Sequence, residues 1–148
     1  MSYGSGIRHE ARFVNNMGPA VVEDKLHAVY NGILKRCFPT TKGFSIEAQV
    51  NIEGDVGRPD FVVVRKQGVT GLFRSTLLVV ELKRPQHWSP RGREDIMDQL
   101  TGYMEGCIQV DRTQHNTTYG LAGIGFHWAV CMLGTAGPPG PSQIVVDW

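Results

Sequence analysis

Asp60 stands at the head of the apolar run Phe61-Val62-Val63-Val64, directly after Arg58-Pro59, while Glu81 and Lys83 close a second run, Leu77-Leu78-Val79-Val80. Runs of this length suit buried strands. Pairing two such strands brings two carboxylates and an ammonium together at one edge of a sheet. Two carboxylates can hold a divalent cation, which polarises a phosphodiester and lowers the pKa of its bound water. A lysine beside them can orient that water or stabilise charge developing on the phosphate oxygens. The chemistry these residues suit best is metal-assisted phosphodiester hydrolysis, the work of a nuclease.

Strand periodicity sharpens the placement. Alternation puts Glu81 and Lys83 on one face of their strand and Leu82 on the other. A buried carboxylate or ammonium is costly unless paired, and a metal and a phosphate would satisfy both. The plainer reading is that Glu81, Lys83 and Arg84 mark the solvated end of a core strand that Pro85 terminates.

The set Pro59-Asp60 followed by Glu81-x-Lys83 resembles the signature of the PD-(D/E)xK nuclease superfamily. A hairpin-like connection through Lys66-Gln67-Gly68 and Gly71 joins the two halves. Downstream, Gln99 and Tyr103 share a helix face four residues apart, similar to the Q-x-x-x-Y motif of the branch related to the RecB nuclease domain and phage exonucleases. Taken alone, that pair reads as a surface glutamine and a core tyrosine. The resemblance implies a restriction-endonuclease-like α/β core, a central mixed β-sheet flanked by helices in the order α-β-β-β-α-β. It implies that Asp60 and Glu81 bind magnesium (manganese substituting), with the Leu82 carbonyl a further ligand. Lys83 would position or deprotonate the attacking water, Gln99 would order the site from the helix, and Tyr103 would pack beside it. A glutamate on the first helix often completes such a site, and Glu23 matches by order and phase, although a glutamate there also suits the helix terminus. Cleavage would leave 5'-phosphate ends, with DNA the expected substrate.

The elements that must position these residues are legible in outline. Gly18-Pro19 suits a helix start, and Val22, Leu26, Val29, Tyr30, Ile33 and Leu34 form an apolar face running to Lys35 or Arg36 before Cys37-Phe38-Pro39. Phe44, Ile46, Ala48, Val50 and Ile52 alternate with polar residues as a half-buried strand, from which Glu47 or Gln49 can reach the site if the sheet curves toward it. Ile96, Leu100, Tyr103, Met104, Cys107 and Ile108 stripe a helix from Glu94 to about Val110. Tyr119 to Phe126, His127 to Leu133 and Gln143 to Val146 are further strand candidates, the last after a Pro/Gly-rich loop at 134–142. Length fits one domain over 1–148.

A formal net charge of +1 supplies no whole-molecule field for tight duplex binding. Positive charge is local instead: Arg58, Arg84, His87, Arg91 and Arg93 flank the catalytic residues, and Trp88 among them can stack on an exposed base. Asp95 and Asp98 dilute that patch, and the equally plain reading is a solvated loop. The modest charge favours homodimerisation, a specialised substrate structure or a separate targeting domain. Cys37, Cys107 and Cys131 are odd in number and fall in no metal-ligand spacing. Reduced thiols, with no signal peptide or membrane-length apolar stretch, give the expectation of an intracellular protein, cytoplasmic or nuclear. Two rival classes remain open: an inactive or weakly active nuclease-like module serving nucleic acid binding or protein assembly, and an interaction domain that carries the motif by chance.

Overall fold

The computed structural model describes residue 12 and residues 23–52, 57–67, 73–111, 117–134 and 143–148. Within these, a six-stranded mixed sheet is flanked by two helices. Helix α1 (Glu23–Cys37) is followed by β1 (Phe44–Ala48), β2 (Phe61–Gln67) and β3 (Phe73–Lys83), an antiparallel meander. Helix α2 (Pro90–Asp111) then crosses over to β4 (Thr117–Ile124), which pairs parallel to β3. A parallel partner needs such a crossover, because no tight turn can return the chain in the same direction. Strands β5 (His127–Gly134) and β6 (Gln143–Val146) complete the sheet antiparallel, so spatial order equals chain order.

Each helix buries one stripe. Leu26, Val29, Tyr30 and Leu34 of α1 are buried, and the last two pack on Phe61, Val63, Leu78, Val80 and Leu82. Ile96, Leu100, Tyr103 and Met104 of α2 cover the other face, against Val79, Ala122, Ile124 and Cys131. Side-chain alternation along β3 therefore assigns Glu81 and Lys83 to the α2 face. Phase is reset lower in the strand by a bulge, where Val63 faces Leu78 but Val64 faces Thr76. The glycines that weaken β4 as a strand by composition have a packing reason. A Cβ at Gly120 would fall 2.5 Å from the Met104 sulfur, and one at Gly123 would fall 2.7 Å from Leu82.

Several boundaries differ from the sequence reading. Helix α2 begins at Pro90 rather than Glu94, because the Ser89 hydroxyl accepts the Gly92 N–H at 3.0 Å as a cap and Pro90 fits the first turn. Strand β1 stops at Ala48, since Gln49 adopts a left-handed φ of 48°. Strand β3 begins at Phe73 rather than Leu77. Gly18-Pro19 and most of the Pro/Gly-rich loop lie outside the described residues.

Candidate active site

The site grows from the point where β2 and β3 part. Phe61 faces Val80 in the ladder, so the next pair outward is Asp60 and Glu81. Asp60 sits in a bend just before β2, and its Oδ2 accepts the Leu82 N–H at 2.7 Å. That bond fills the ladder position β2 has vacated. A strand residue sends its N–H and C=O to the same edge, so the Leu82 carbonyl faces the same gap.

Glu81 lies one residue away on the α2 face and is 3% exposed. Its Oε1 accepts a hydrogen bond from Lys83 Nζ at 2.7 Å, and its Oε2 is buried with no hydrogen-bond partner. Loss of hydration pushes the Glu81 pKa from 4.5 to about 7; the Asp60 carboxylate adds to this and the Lys83 ammonium opposes it. A buried carboxylate oxygen left without a donor is costly and calls for a physical account. A cation shared with Asp60 would remove the cost. Among the described residues no three His, Cys, Asp or Glu side chains converge into a cage. Two carboxylates and a carbonyl are instead the donor set of a hard ion that keeps much of its water, as magnesium does. The location agrees, because open α/β sheets bind ligands at the carboxyl ends of their parallel strands. Lys83 and Ile124 end β3 and β4 at this edge.

His27 is the residue that sequence reading missed. Its Nε2 lies 3.0 Å from Asp60 Oδ1, an ion-pair distance off the line of a good hydrogen bond, and its ring meets Phe61 edge-on. The signal that could have found it is spacing: His27 falls one turn after Glu23 on the same helix face. The Glu23 side chain itself lies outside the described residues. Glu47 does not reach the carboxylate pair and is committed to Arg74 at 2.9 Å. Gln49 contributes only its backbone N–H, to the Asp60 carbonyl at 3.1 Å.

Gln99 Nε2 donates to the Tyr103 hydroxyl at 2.7 Å. Gln99 is solvent-exposed, whereas the Tyr103 ring is buried against Gly57, whose φ of +104° opens the turn into Arg58-Pro59-Asp60. Tyr103 therefore props the loop that delivers Asp60, and Gln99 braces Tyr103. Arg58 is tied to Asn51 Oδ1 at 2.5 Å. Arg84 and His87 are exposed on the β3–α2 connection, and Arg91, in the first turn of α2, is exposed in a loose helical pair with Asp95 at 3.8 Å. Trp88 is 39% exposed. His127 stacks on it at 4.0 Å, the Arg93 guanidinium stands over its ring at 5.1 Å, and Trp148 meets its edge. These contacts anchor the loop, and part of the ring stays open to solvent. None of the three cysteines is in a disulfide, and burial pushes the Cys107 thiol up to about 11, which removes it as a nucleophile.

Family models, curated proteins and solved structures were compared with the chain, and none matches. No helix among the described residues is long and apolar enough to cross a membrane.

Proposed function

We propose that this chain is a metal-dependent nuclease that hydrolyses phosphodiester bonds, most simply of DNA, leaving 5'-phosphate ends. One observation carries the reading: the buried Glu81 Oε2, without a hydrogen-bond partner, stands beside Asp60 and Lys83 at the carboxyl end of the parallel strand pair. The α-β-β-β-α-β order supports the restriction-endonuclease-like core that the motif resemblance implies. Asp60, Glu81 and the Leu82 carbonyl would hold magnesium. When bound, the ion supplies Lewis-acid polarisation of the phosphate and a water of lowered pKa. Lys83 Nζ, a donor fixed at the site by Glu81, holds the attacking water's oxygen and shields charge on the phosphate. His27 keeps Asp60 oriented, and Tyr103 with Gln99 holds the loop behind it.

Isothermal titration of magnesium or manganese into the wild type and D60A/E81A tests this. Binding lost in the variant, together with metal-dependent cleavage by the wild type, is expected. Absence of binding, even with nucleic acid present, sinks the mechanism. One observation favours a second reading, a module that binds nucleic acid or assembles without cutting: both Asp60 oxygens already have protein partners, Leu82 N–H and His27. A chain that binds nucleic acid yet takes up no metal would decide for it.

A further inference from the structure

Helix α1 touches the site at two points. His27 meets Asp60 at the head of β2, and Tyr30, three residues on and on the same side of the helix, reaches the far end of β3. The buried Tyr30 hydroxyl donates to the Gly125 carbonyl at 3.1 Å, and the Gly125 N–H donates to the Lys83 carbonyl at 2.9 Å. One residue of the β4–β5 turn is thus gripped from both sides. The approach needs small residues: a Cβ at Gly123 would stand 3.0 Å from the Tyr30 oxygen, and Gly125 takes a φ of +62°. Burial pushes the Tyr30 pKa up to about 12, so the hydroxyl keeps its proton and stays a donor throughout the neutral range.

The end of β3 needs such a hold. Its ladder with β2 closes at Phe61 and Val80, and the Leu82 N–H beyond that pair is taken by the Asp60 carboxylate. On the other edge β4 runs alongside as far as Ile124, and Gly125 makes the next bond outward. Leu82 is therefore fixed from the β2 side and Lys83 from the β4 side. The peptide between them carries the Leu82 carbonyl, which faces the gap where a cation would sit.

We propose that Tyr30 is a positioning residue for Lys83: acting through Gly125, it sets the main chain from which the ammonium reaches Glu81 and the attacking water. The assignment rests on the nuclease reading for the task it gives Lys83. A tyrosine kept only for the core would need no hydroxyl, because its ring packs with Leu34, Phe61 and Leu82, where a phenylalanine would serve. With His27 on Asp60, a single helix then holds both halves of the site. The separation of the acid on β2 from the acid and ammonium on β3 is set from α1 at the point where the β2–β3 ladder has ended. Such placement matters to rate, since a small displacement of a catalytic group costs far more than the contact that prevents it.

Y30F, which keeps the ring and removes only the hydroxyl, tests this in the full chain by two readouts. Amide hydrogen exchange followed by NMR should show the Gly125 N–H exchanging at least about tenfold faster than in the wild type, with the Val79 N–H at the centre of β3 little changed. Single-turnover cleavage of a DNA oligonucleotide at saturating magnesium should slow about tenfold while the substrate dissociation constant stays within about twofold. Because Tyr30 acts through Lys83, Y30F should slow K83A by less than about twofold further. A merely structural tyrosine would lower the melting temperature and leave the cleavage rate of the folded chain where it was. Unchanged Gly125 exchange, an unchanged rate, or a loss that adds in full to that of K83A would overturn the proposal. Should Y30F fail to fold, the wild type alone decides, since a Gly125 amide exchanging as fast as an open turn, and not as slowly as Val79, would show no hold. A wild type that never cuts removes the nuclease reading, and the exchange result then settles separately whether Tyr30 holds the end of β3.

Discussion

The two ends of β3 are built alike and finished differently. At each end an aspartate from a neighbouring segment accepts a backbone N–H of the strand: Asp111, at the end of α2, takes that of Thr76, and Asp60 takes that of Leu82. Around Asp111 the other charges are paired with each other, Arg74 with Glu47, beside a cavity of about 170 Å³ lined by Asn51, Thr76 and Cys107. Around Asp60 a second carboxylate is buried with one oxygen unsatisfied. The same hydrogen bond therefore closes the sheet at one end and, at the other, holds an acid next to a deficit that a bound cation would make good. An aspartate on a backbone amide is a structural device; what marks a site is the neighbour left unsatisfied.

Near-isosteric exchange at the two ends should separate these roles most sharply. D60N keeps the shape but removes half the charge of the cation site, and cleavage should fall by about 10³-fold or more, read as single-turnover rate. D111N should leave cleavage within about twofold and cost about 1–2 kcal/mol of stability in urea melts. A folded D111N chain that cannot cut would break the comparison. His27 comes next. If it orients Asp60 for metal, H27A should weaken magnesium affinity by about 10–100-fold, with partial recovery in H27Q. Affinity that rises instead would mean His27 competes with the ion for Asp60.

The Glu81 end should also respond to pH in a way the Asp111 end does not. Its carboxyl titrates at about 7 in the folded chain, against an ordinary glutamate value of 4.5 once the chain unfolds. The folded chain thus holds the extra proton between these values, so metal-free stability is fully present below about pH 4.5 and lost as pH rises through about 7, by roughly 3 kcal/mol. E81Q should flatten that slope and melt higher than the wild type at pH 8 while losing cleavage. Magnesium should restore the wild type at pH 8 by binding only the ionised folded form. A wild-type slope unchanged in E81Q would move the titration elsewhere.

Much of this is readable from residue order. Alternation around Leu77–Lys83 places Glu81 and Lys83 on one face, the crossover follows from a helix between two strand-like runs, and the last strands fall close to their expected places. What stays hidden depends on distances between separate elements. His27 falls one turn from Glu23 in the sequence, but its approach to Asp60 becomes visible only when α1 is laid over the end of β2. Trp88 reads as open in the sequence, which does not show that His127, far along the chain, stacks on it. Glu47 could turn toward the site by sequence alone, and only its ion pair with Arg74, made diagonally across the sheet, shows that it does not.

The smallest expected effect concerns the brace behind Asp60. Y103F removes the hydroxyl that Gln99 reaches but leaves the ring against Gly57, and Q99A removes the donor at an exposed position. A hydrogen bond with one solvent-facing partner is worth about 0.5–1.5 kcal/mol, so each change should lower stability by no more than that and slow cleavage only a few-fold. If the pair acts as one brace, the double variant should be no worse than either single one, a coupling that a double-mutant cycle reads directly. Additive losses in cleavage would instead give Gln99 its own contact with the substrate, making this helix part of the reaction surface and not only the wall behind it.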